Sequence, residues 1–503
     1  MKNEYTTVLY DGKPIEVKCG EPLSLALRTE SPCGAHGNCG KCKAKVTGDI
    51  SPLTESERSH LSKEEMNRGI RLLCQVCALG GAEVTSLYAE KELSVLTEGV
   101  GAITVENPLF QNFGIAIDIG TTTLAGRLYQ RDGKVLATAG ATNPQVVYGA
   151  DVISRIEHAR QDKNALAHAI REGLSSLILS LTEQADILPE DVDGMVLCGN
   201  TTMLYLLTET DTEPLSHAPF SLTRSFGEFL SASELALSPL KPDTKVYLPR
   251  VISAFVGADT VCALLATRIT EKADTTLLVD IGTNGEIALW HEGVLRVTST
   301  AAGPAFEGVG IQAGMRGETG AIDRVSLEGD TLIVHTIGDT EPKGICGSGL
   351  VDLIACLLKH GTLDESGYLE SDFPLTRDVI LTQKDVREVQ LAKSAISAGI
   401  RTLLHMAKCP PEEVGRFVVC GGFGSYLNLE NANAIGLLPT ECTSHAEIVG
   451  NAALDGASVF LLQGDHILNA QNLVESAIPQ NLSETPVFAE FYMMGMLLSE
   501  EEK

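Results

Sequence analysis

Five of the 13 cysteines lie within one stretch near the N-terminus, and their spacing suits an iron–sulfur cluster. Cys33, Cys39 and Cys42 form a C-x5-C-x2-C pattern, and Cys74 follows after 31 intervening residues. Three thiolates in one loop with a distant fourth are typical of a [2Fe–2S] site. These four cysteines are therefore predicted to hold such a cluster, and Cys77 is the alternative to Cys74 as the fourth ligand.

A zinc site is the other chemistry open to these cysteines. Structural zinc sites often use two C-x2-C pairs, which Cys39/Cys42 and Cys74/Cys77 would supply. That pairing leaves Cys33 unused, whereas the iron–sulfur interpretation gives it a role.

The segments around the cysteines are those needed to position such a loop. Thr6–Tyr10 and Ile15–Cys19 read as strands joined by a turn, Pro22–Arg28 as a short helix, and Lys43–Val46 as the next strand. This order resembles the β-grasp ferredoxins, and the five-residue first spacing is closer to the adrenodoxin and bacterial type than to the plant type. Glycines in the loop permit it to curl and aim backbone N–H groups at the sulfurs: Gly34, Gly37 and Gly40.

A second kind of chemistry is indicated by two related segments 162 residues apart. In each, a carboxylate ends an apolar strand, small and hydroxyl residues follow, and the chain returns as a hairpin. Asp118 ends the strand Ile115–Ile119, and Asp280 ends the strand Leu277–Ile281. The residues that follow are Gly120, Thr121 and Thr122 in the first segment, and Gly282, Thr283, Asn284 and Gly285 in the second.

Two such loops facing each other across a cleft can clamp a polyphosphate. Backbone N–H and hydroxyl groups would contact phosphate oxygens, while Asp118 and Asp280 would bind Mg²⁺ or orient the attacking water. The repeat resembles the superfamily of actin, sugar kinases and heat-shock chaperones, in which these loops are the phosphate-1 and phosphate-2 motifs. The chain has no G-x4-G-K-[ST] arrangement, so a Walker-type ATPase is excluded.

That resemblance also implies an adenosine motif near the C-terminus. The strand Arg416–Cys420 is followed by glycines that would let adenine approach the backbone closely: Gly421, Gly422 and Gly424. A further glycine-rich turn, with Gly347 and Ser348, precedes an apolar helix and suits a phosphate or ribose, although Ser348 is equally suited to capping the helix. Glu286 and Glu307 are either catalytic or partner-facing residues, or solvated ones.

The overall charge narrows the choice of partners. The 38 Lys and Arg against 66 Asp and Glu give a net charge of −28, which repels nucleic acid and anionic membranes. Residues 1–95 contain 12 basic and 13 acidic side chains, so the remainder carries −27. The N-terminus has no apolar signal core and no 18-residue apolar run occurs, so a cytoplasmic protein with reduced thiols is expected.

The combination of a [2Fe–2S] ferredoxin with a duplicated actin-like fold resembles the ATP-dependent reductive activators of corrinoid proteins, and of these the bacterial branch. Other matching segments begin at Asn143, Cys198, Phe255, Ala301 and Gly344. The last cysteine is Cys442, so the C-terminal second cluster of the archaeal branch is not expected.

The resemblance implies both a fold and a function. The fold is α/β with an α+β N-terminal module: a β-grasp ferredoxin domain (1–95), a linker (96–112), and two RNase H-like, actin-like subdomains (113–270 and 271–503). The function is ATP- and Mg²⁺-dependent reduction of an inactive Co(II) corrinoid protein to Co(I) in a methyltransferase or O-demethylase system. An unidentified low-potential electron donor is required, and a homodimer is allowed.

Two other functions are compatible with the same motifs. One is a different ATP-driven low-potential electron transferase, analogous to the activators of hydroxyacyl-CoA dehydratases, which lack a ferredoxin domain. The other is a redox sensor or scaffold that binds nucleotide without turnover.

Overall fold

The structure is a computed structural model, and it describes residues 4–31, 33–87 and 103–499. The first part of the chain folds around a five-stranded sheet of order β2-β1-β5-β3-β4, in which β1 and β5 are parallel. Asp11 and Gly12 connect β1 to β2 with positive φ angles of 47° and 81°, as the Asp-Gly turn predicts. The elements are β1 (Tyr5–Tyr10), β2 (Lys13–Lys18), α1 (Leu23–Ala26), β3 (Lys43–Ile50), α2 (Glu55–His60), α3 (Lys63–Asn67), β4 (Ile70–Leu72) and β5 (Ala78–Ser86).

The next part of the chain contains a six-stranded sheet of order β10-β11-β9-β6-β7-β8. The strands β6, β7 and β8 form an antiparallel meander, and β9 and β11 continue the sheet in parallel with β6. The elements are β6 (Phe113–Ile119), β7 (Thr123–Gln130), β8 (Val135–Thr142), α4 (Val152–Gln184), β9 (Val192–Gly199), α5 (Thr201–Leu207), β10 (Glu228–Ser231), β11 (Lys245–Leu248) and α6 (Ala258–Ala266).

The last part of the chain contains a second six-stranded sheet, of order β21-β20-β12-β13-β14-β22. The strands of this sheet are β12 (Thr275–Ile281), β13 (Gly285–His291), β14 (Val294–Thr300), β20 (Arg416–Cys420), β21 (Ala446–Ile448) and β22 (Ile478–Pro479). A three-stranded sheet contains β15 (Ala321–Glu328), β16 (Thr331–Thr336) and β17 (Gly344–Ile345), and a two-stranded sheet contains β18 (Phe373–Pro374) and β19 (Ile380–Leu381). The helices of this part of the chain are α7 (Gly347–His360), α8 (Gln383–Ala407), α9 (Leu429–Ala434), α10 (Thr440–Thr443), α11 (Ala452–Leu462), α12 (His466–Ser476) and α13 (Pro486–Met494).

Five strands of each six-stranded sheet share one topology, which confirms the internal repeat. The sixth strand is β10 at one edge of the first sheet and β22 at the opposite edge of the second. In the second sheet, β12, β13 and β14 form the meander, and β20 and β21 continue in parallel with β12. The strands β6 and β12 therefore occupy equivalent central positions. Both begin two residues earlier than the sequence predicts, because the ladders with β7 and β13 extend to Phe113 and Thr275.

Helices α6 and α11 connect the cores of the two halves. Buried residues of α6, such as Val261, share the first core with Leu454 and Phe460 of α11. Ala263 of the same α6 packs with Ala452 in a cluster that includes the second sheet. The predicted division at residue 270 therefore separates the halves along the chain, whereas α11 packs with the first half.

The contact between α6 and α11 requires a glycine. A Cβ atom on Gly456 would lie 2.0 Å from the carbonyl oxygen of Cys262. Gly456→Ala is therefore expected to lower the free energy of unfolding by about 1–3 kcal/mol through overpacking, as measured by urea denaturation. Gly415→Ala is the matched control, because its nearest neighbour would be 3.7 Å away. Equal stability of the two variants would contradict this account of the helix contact.

The predicted linker, 96–112, lies partly outside the described residues. Its described part pairs with the end of α11, where the amides of Glu106 and Leu109 donate to the carbonyl oxygens of Leu462 and Leu461, each at 2.9 Å. Within the described ranges, no helix is long and apolar enough to cross a bilayer.

Candidate functional site

Four thiols converge in the N-terminal domain. The Cys33 sulfur makes hydrogen-bonding contacts with those of Cys39 and Cys74, and the Cys42 sulfur contacts that of Cys74. Cys42 and Cys74 are 8% and 4% exposed, whereas Cys33 and Cys39 are partly open to solvent. The structure thus brings together the four cysteines that the spacing singled out, with one shielded side and one accessible side.

The loop that carries these cysteines curls as its glycines predict. Gly34, Gly37 and Gly40 have φ angles of 60°, 74° and 66°, which side chains rarely adopt. The amides of Asn38 and Cys39 donate to the Cys33 sulfur. Such hydrogen bonds stabilise thiolates, which are the form that binds iron.

Cys77 lies in a different environment from the four converging thiols. Burial raises the pKa of its thiol, and its charged neighbours are Arg71, Glu21 and Glu57. Its amide donates to the hydroxyl of Ser51 at 3.0 Å. This placement favours Cys74 over Cys77 as the fourth ligand and does not assemble the two C-x2-C pairs that a zinc site would use.

A group of carboxylates lies between the two central strands of the actin-like halves. Asp118 and Asp280, at the ends of β6 and β12, interact electrostatically with each other. Asp259, in the first turn of α6, and Glu286, on β13, interact with this pair. All four are partly buried, so Glu286 is a residue of the cleft rather than a solvated one.

The crowding of these carboxylates makes them hard to ionise. Burial, assisted by Asp280, raises the pKa of Asp118 to about 6. Burial raises the pKa of Asp280 and of Asp259 to about 7, with further contributions from Asp259 and Asp118 respectively. Burial also raises the pKa of Glu286. A divalent cation would relieve this repulsion, and oxygen ligands are those that Mg²⁺ prefers.

These raised pKa values predict an unusual pH dependence of stability. Between about pH 4 and pH 7 the folded protein retains protons that the unfolded chain has released, so stability falls as the pH rises. Without Mg²⁺ and nucleotide, the melting temperature of Asp259→Asn should exceed that of the wild type increasingly from pH 5 to pH 8. A difference that stays constant or shrinks over this range would contradict the raised pKa of Asp259.

The two phosphate loops are joined by one carboxylate. The hydroxyl of Thr122 donates to Glu307 at 2.7 Å, and the hydroxyl of Thr283 donates to the other oxygen of the same carboxylate. Glu307 ends a short 3-10 helix (Pro304–Glu307) that follows β14. The glycine-dense segment 301–317 thus crosses the cleft, and the remaining loop residues, Gly120, Thr121, Gly282, Asn284 and Gly285, lie where β6 and β12 end.

Further polar residues hold the first phosphate loop in position. They lie in the family-matching segments that begin at Asn143 and Cys198, although the sequence assigned them no role. Asn143 donates to the carbonyl oxygen of Gly120 at 2.8 Å, and Asn200 donates to the hydroxyl of Thr121 at 3.1 Å. Arg155 is fully buried and donates to the backbone oxygen of Thr121. These residues are 23 to 79 positions from their partners, so only the tertiary fold reveals their role.

Asn451, which lies in the C-terminal half, contacts Asp118 of the first half. Its side-chain amide donates to Asp118 at 3.0 Å, while its carbonyl oxygen caps α11 by accepting from the amide of Leu454 at 2.8 Å. Asp259 lies in the segment from Phe255 that resembles the family, so the sequence indicated its neighbourhood. By contrast, no local pattern indicated Asn451.

The glycine turn after β20 lies beside the second phosphate loop. A Cβ atom on Gly421, whose φ is 92°, would lie 2.3 Å from the carboxylate of Asp280. Gly422 has open space where a side chain would be, whereas a Cβ atom on Gly424 would lie 3.1 Å from the side chain of Val419. The turn predicted to border adenosine thus lies next to the cleft, with open space at Gly422.

Gly347 and Ser348 support this turn from behind. A Cβ atom on Gly347 would lie 2.1 Å from the oxygen of Phe306 and 2.8 Å from the ring of Phe423. Those two rings stack with centroids 4.6 Å apart. The hydroxyl of Ser348 is buried and donates to the backbone carbonyl oxygen of Asp323 at 2.9 Å. In this conformation both residues have packing roles, and their contact with nucleotide stays a prediction.

Comparison with known proteins agrees with this architecture of a ferredoxin domain and two actin-like halves. The family described as "C-terminal domain of RACo the ASKHA domain" matches residues 274–503. "RACo middle region" matches residues 113–272, and "2Fe-2S iron-sulfur cluster binding domain" matches residues 8–79. The corrinoid activation enzyme RamQ of Eubacterium limosum is 35% identical over 460 residues, covering 83% of this chain and 76% of that protein.

The chain belongs to the reductive activators of corrinoid proteins. Another relative, the [Co(II) methylated amine-specific corrinoid protein] reductase of Methanosarcina barkeri, is 26% identical over 416 residues, with 76% of each chain covered. A solved structure, "Reductive activator for corrinoid,iron-sulfur protein", superposes with a TM-score of 0.72 at 27% identity and covers 99% of both chains. The predicted ferredoxin and actin-like fold of this enzyme family is thereby confirmed.

The donor set in this structure fits the cofactors that the family implies. Four thiols linked by sulfur–sulfur contacts, with amides directed at a sulfur, suit a [2Fe–2S] cluster. The paired loops and the glycine turn suit a nucleotide.

Proposed function

We propose that this protein reduces an inactive Co(II) corrinoid protein to the Co(I) state in an ATP-dependent reaction. One electron enters from a low-potential donor, which is oxidised, and one electron reduces the cobalt of the partner. The observation that carries the proposal is that one chain contains both the converging thiols and the duplicated nucleotide cleft. The names of the two curated relatives support the corrinoid substrate.

The energetics explain why a nucleotide is needed. A [2Fe–2S] cluster held by Cys33, Cys39, Cys42 and Cys74 would supply single electrons. The reduction potential of such clusters is near −400 mV in plant-type ferredoxins and often higher in others. Co(I) demands a very low potential, and each ~59 mV of shortfall costs about 1.4 kcal/mol for one electron. Nucleotide binding can contribute that free energy only through a difference between conformational states.

The residues of the cleft have separate roles in this proposal. Asp118 and Asp280 bind Mg²⁺ and orient water, and the loops 120–122 and 282–285 hold the phosphates through N–H and hydroxyl groups. Arg155 fixes the backbone of the first loop. Gly421, Gly422 and Gly424 border the adenosine. We place the partner within a methyltransferase or O-demethylase system, and a homodimer is compatible with this function.

One assay tests the proposal directly. Purified protein with its iron, ATP, Mg²⁺ and a reductant should convert a Co(II) corrinoid protein to Co(I), followed by its absorption. The reaction should depend on ATP and on the corrinoid protein. Equal rates without ATP, or no Co(I) with corrinoid proteins of several methyltransferase systems, would overturn it.

A further inference from the structure

The cysteine loop packs against the first actin-like half, at the edge of the nucleotide cleft. The amide of Ser31 donates to the carbonyl oxygen of Val146 at 3.2 Å. A Cβ atom on Gly34 would lie 3.3 Å from the backbone carbonyl oxygen of Tyr148. Both contacts involve the short 3-10 helix Pro144–Val147 and the residue after it, and Asn143, which caps this helix, also holds the first phosphate loop.

The N-terminal cysteine domain also packs against the C-terminal half, on the other side of the cleft. The ammonium group of Lys41 donates to the carbonyl oxygens of Ile311 and Gln312, the latter at 3.3 Å. Arg316 pairs with Glu30 at 2.7 Å, with side-chain exposures of 19% and 40%. All three partners in the C-terminal half belong to the segment 304–316, which we call the bridging segment.

The bridging segment is the one that carries Glu307. Its carboxylate accepts hydrogen bonds from Thr122 of the first phosphate loop and Thr283 of the second. The phosphates of a nucleotide would use the same two hydroxyl donors. A carboxylate and a phosphate are both anions with several acceptor oxygens, so they compete for these donors.

We propose that Glu307 is a positioning residue that couples nucleotide occupancy to the docking of the cysteine domain. Phosphate displaces the Glu307 carboxylate from Thr122 and Thr283, and the bridging segment shifts. Lys41 and Glu30 then lose their partners, and the cysteine loop leaves the mouth of the cleft. The inference rests on the proposed function in that it takes the cleft to bind nucleotide.

The contacts at stake are suited to such a change. They are hydrogen bonds and an ion pair at partly exposed positions, which contribute little net stability and reorganise readily. In the docked state, Cys33 and Cys39 form the accessible side of the four thiols. The loop that carries them faces the two edges of the cleft. Undocked, the same side becomes more open to a redox partner. The nucleotide therefore controls access to the cysteine domain, in addition to any effect on the corrinoid protein.

The test uses the full-length, iron-loaded protein with a non-hydrolysable ATP analogue and Mg²⁺. Hydrogen–deuterium exchange of residues 30–42 and 304–316 should rise when the analogue binds to the wild type. In Glu307→Gln, exchange of both segments should already be raised without the analogue, because the amide can accept from only one of the two hydroxyls through its oxygen. The Kd for the analogue should fall roughly tenfold, since a charged competitor is removed.

Two further variants separate coupling from general damage. Glu388→Gln is the matched control, because Glu388 lies about 3.8 Å from a Cβ position on Gly310 of the same segment and should leave both exchange and Kd unchanged. Arg316→Gln should raise exchange of residues 30–42 without the analogue and leave Kd unchanged. The iron content and visible spectrum of each variant establish that it folds and holds its cluster.

Several outcomes would overturn the coupling. Glu307→Gln could bind the analogue as the wild type does or more weakly, which would indicate a catalytic or merely structural role. The wild type could bind the analogue with no change in the exchange of residues 30–42. Neither measurement involves a corrinoid protein, so failure of cobalt reduction with an intact exchange response would count against the proposed function alone.

Discussion

Replacing Cys74 by alanine is expected to abolish the iron–sulfur cluster, whereas replacing Cys77 by alanine is expected to preserve it. Both cysteines lie in the same short segment, RLLCQVC, so the pair tests position rather than composition. Of these two cysteines, Cys74 is the one whose sulfur contacts the sulfurs of Cys33 and Cys42. Iron content should fall from two per chain towards zero in Cys74→Ala, with loss of the ferredoxin-type absorption.

The control variant gives the prediction its direction. Cys77 is half-buried beside Arg71 and away from the other thiols, so Cys77→Ala should retain its iron and its spectrum. If Cys77→Ala lost the iron and Cys74→Ala kept it, the assignment of Cys74 as the fourth ligand would be wrong. If the wild type contained zinc in place of iron, the assignment of the whole site would fail.

The cysteine site was open to prediction from the sequence because its determinants are local. Three of the four thiols lie within ten residues, and the glycines between them report a curled backbone directly. The strand ends at Asp118 and Asp280 were equally accessible, because an apolar run, a carboxylate and a glycine are read from neighbouring positions. The repeated topology of the two sheets then followed from the repeated motif.

The rest of the cleft depends on contacts that no local pattern encodes. Glu307 is 185 residues from Thr122, and Asn451 is 333 residues from Asp118. Arg155 lies within a helix, α4, whose buried face looks like ordinary core until its contact with Thr121 is known. Burial and partners, rather than residue type, separate these residues from the solvated glutamates and asparagines elsewhere in the chain.

Part of the negative charge of the chain is concentrated in the cleft. Four carboxylates share the cleft, and burial raises the pKa of each one. A nucleotide polyphosphate brought alone into that field would be repelled. We therefore expect it to enter as its Mg²⁺ complex, with the cation placed among the carboxylates and the phosphates held by N–H and hydroxyl donors.

Asp280→Asn is the second variant with a large expected effect. The substitution keeps the shape of the side chain beside Gly421, whose missing Cβ leaves room for it, but removes the charge that would bind Mg²⁺. The rate of ATP-dependent Co(I) formation should fall at least about 100-fold, the loss typical of removing one acid–base or metal-positioning group. The iron content should remain that of the wild type, because the thiols lie in a different domain.

Stability provides the independent check on this variant. The raised pKa of Asp280 means that its ionised form is disfavoured in the fold, so Asp280→Asn should unfold at a temperature equal to or above that of the wild type at pH 8. Glu292→Gln, at the turn of the same hairpin, should leave the rate unchanged. Full activity in Asp280→Asn would remove Asp280 from the catalytic site. Activity lost together with iron or stability would instead indicate a damaged fold, because a missing cation ligand affects neither.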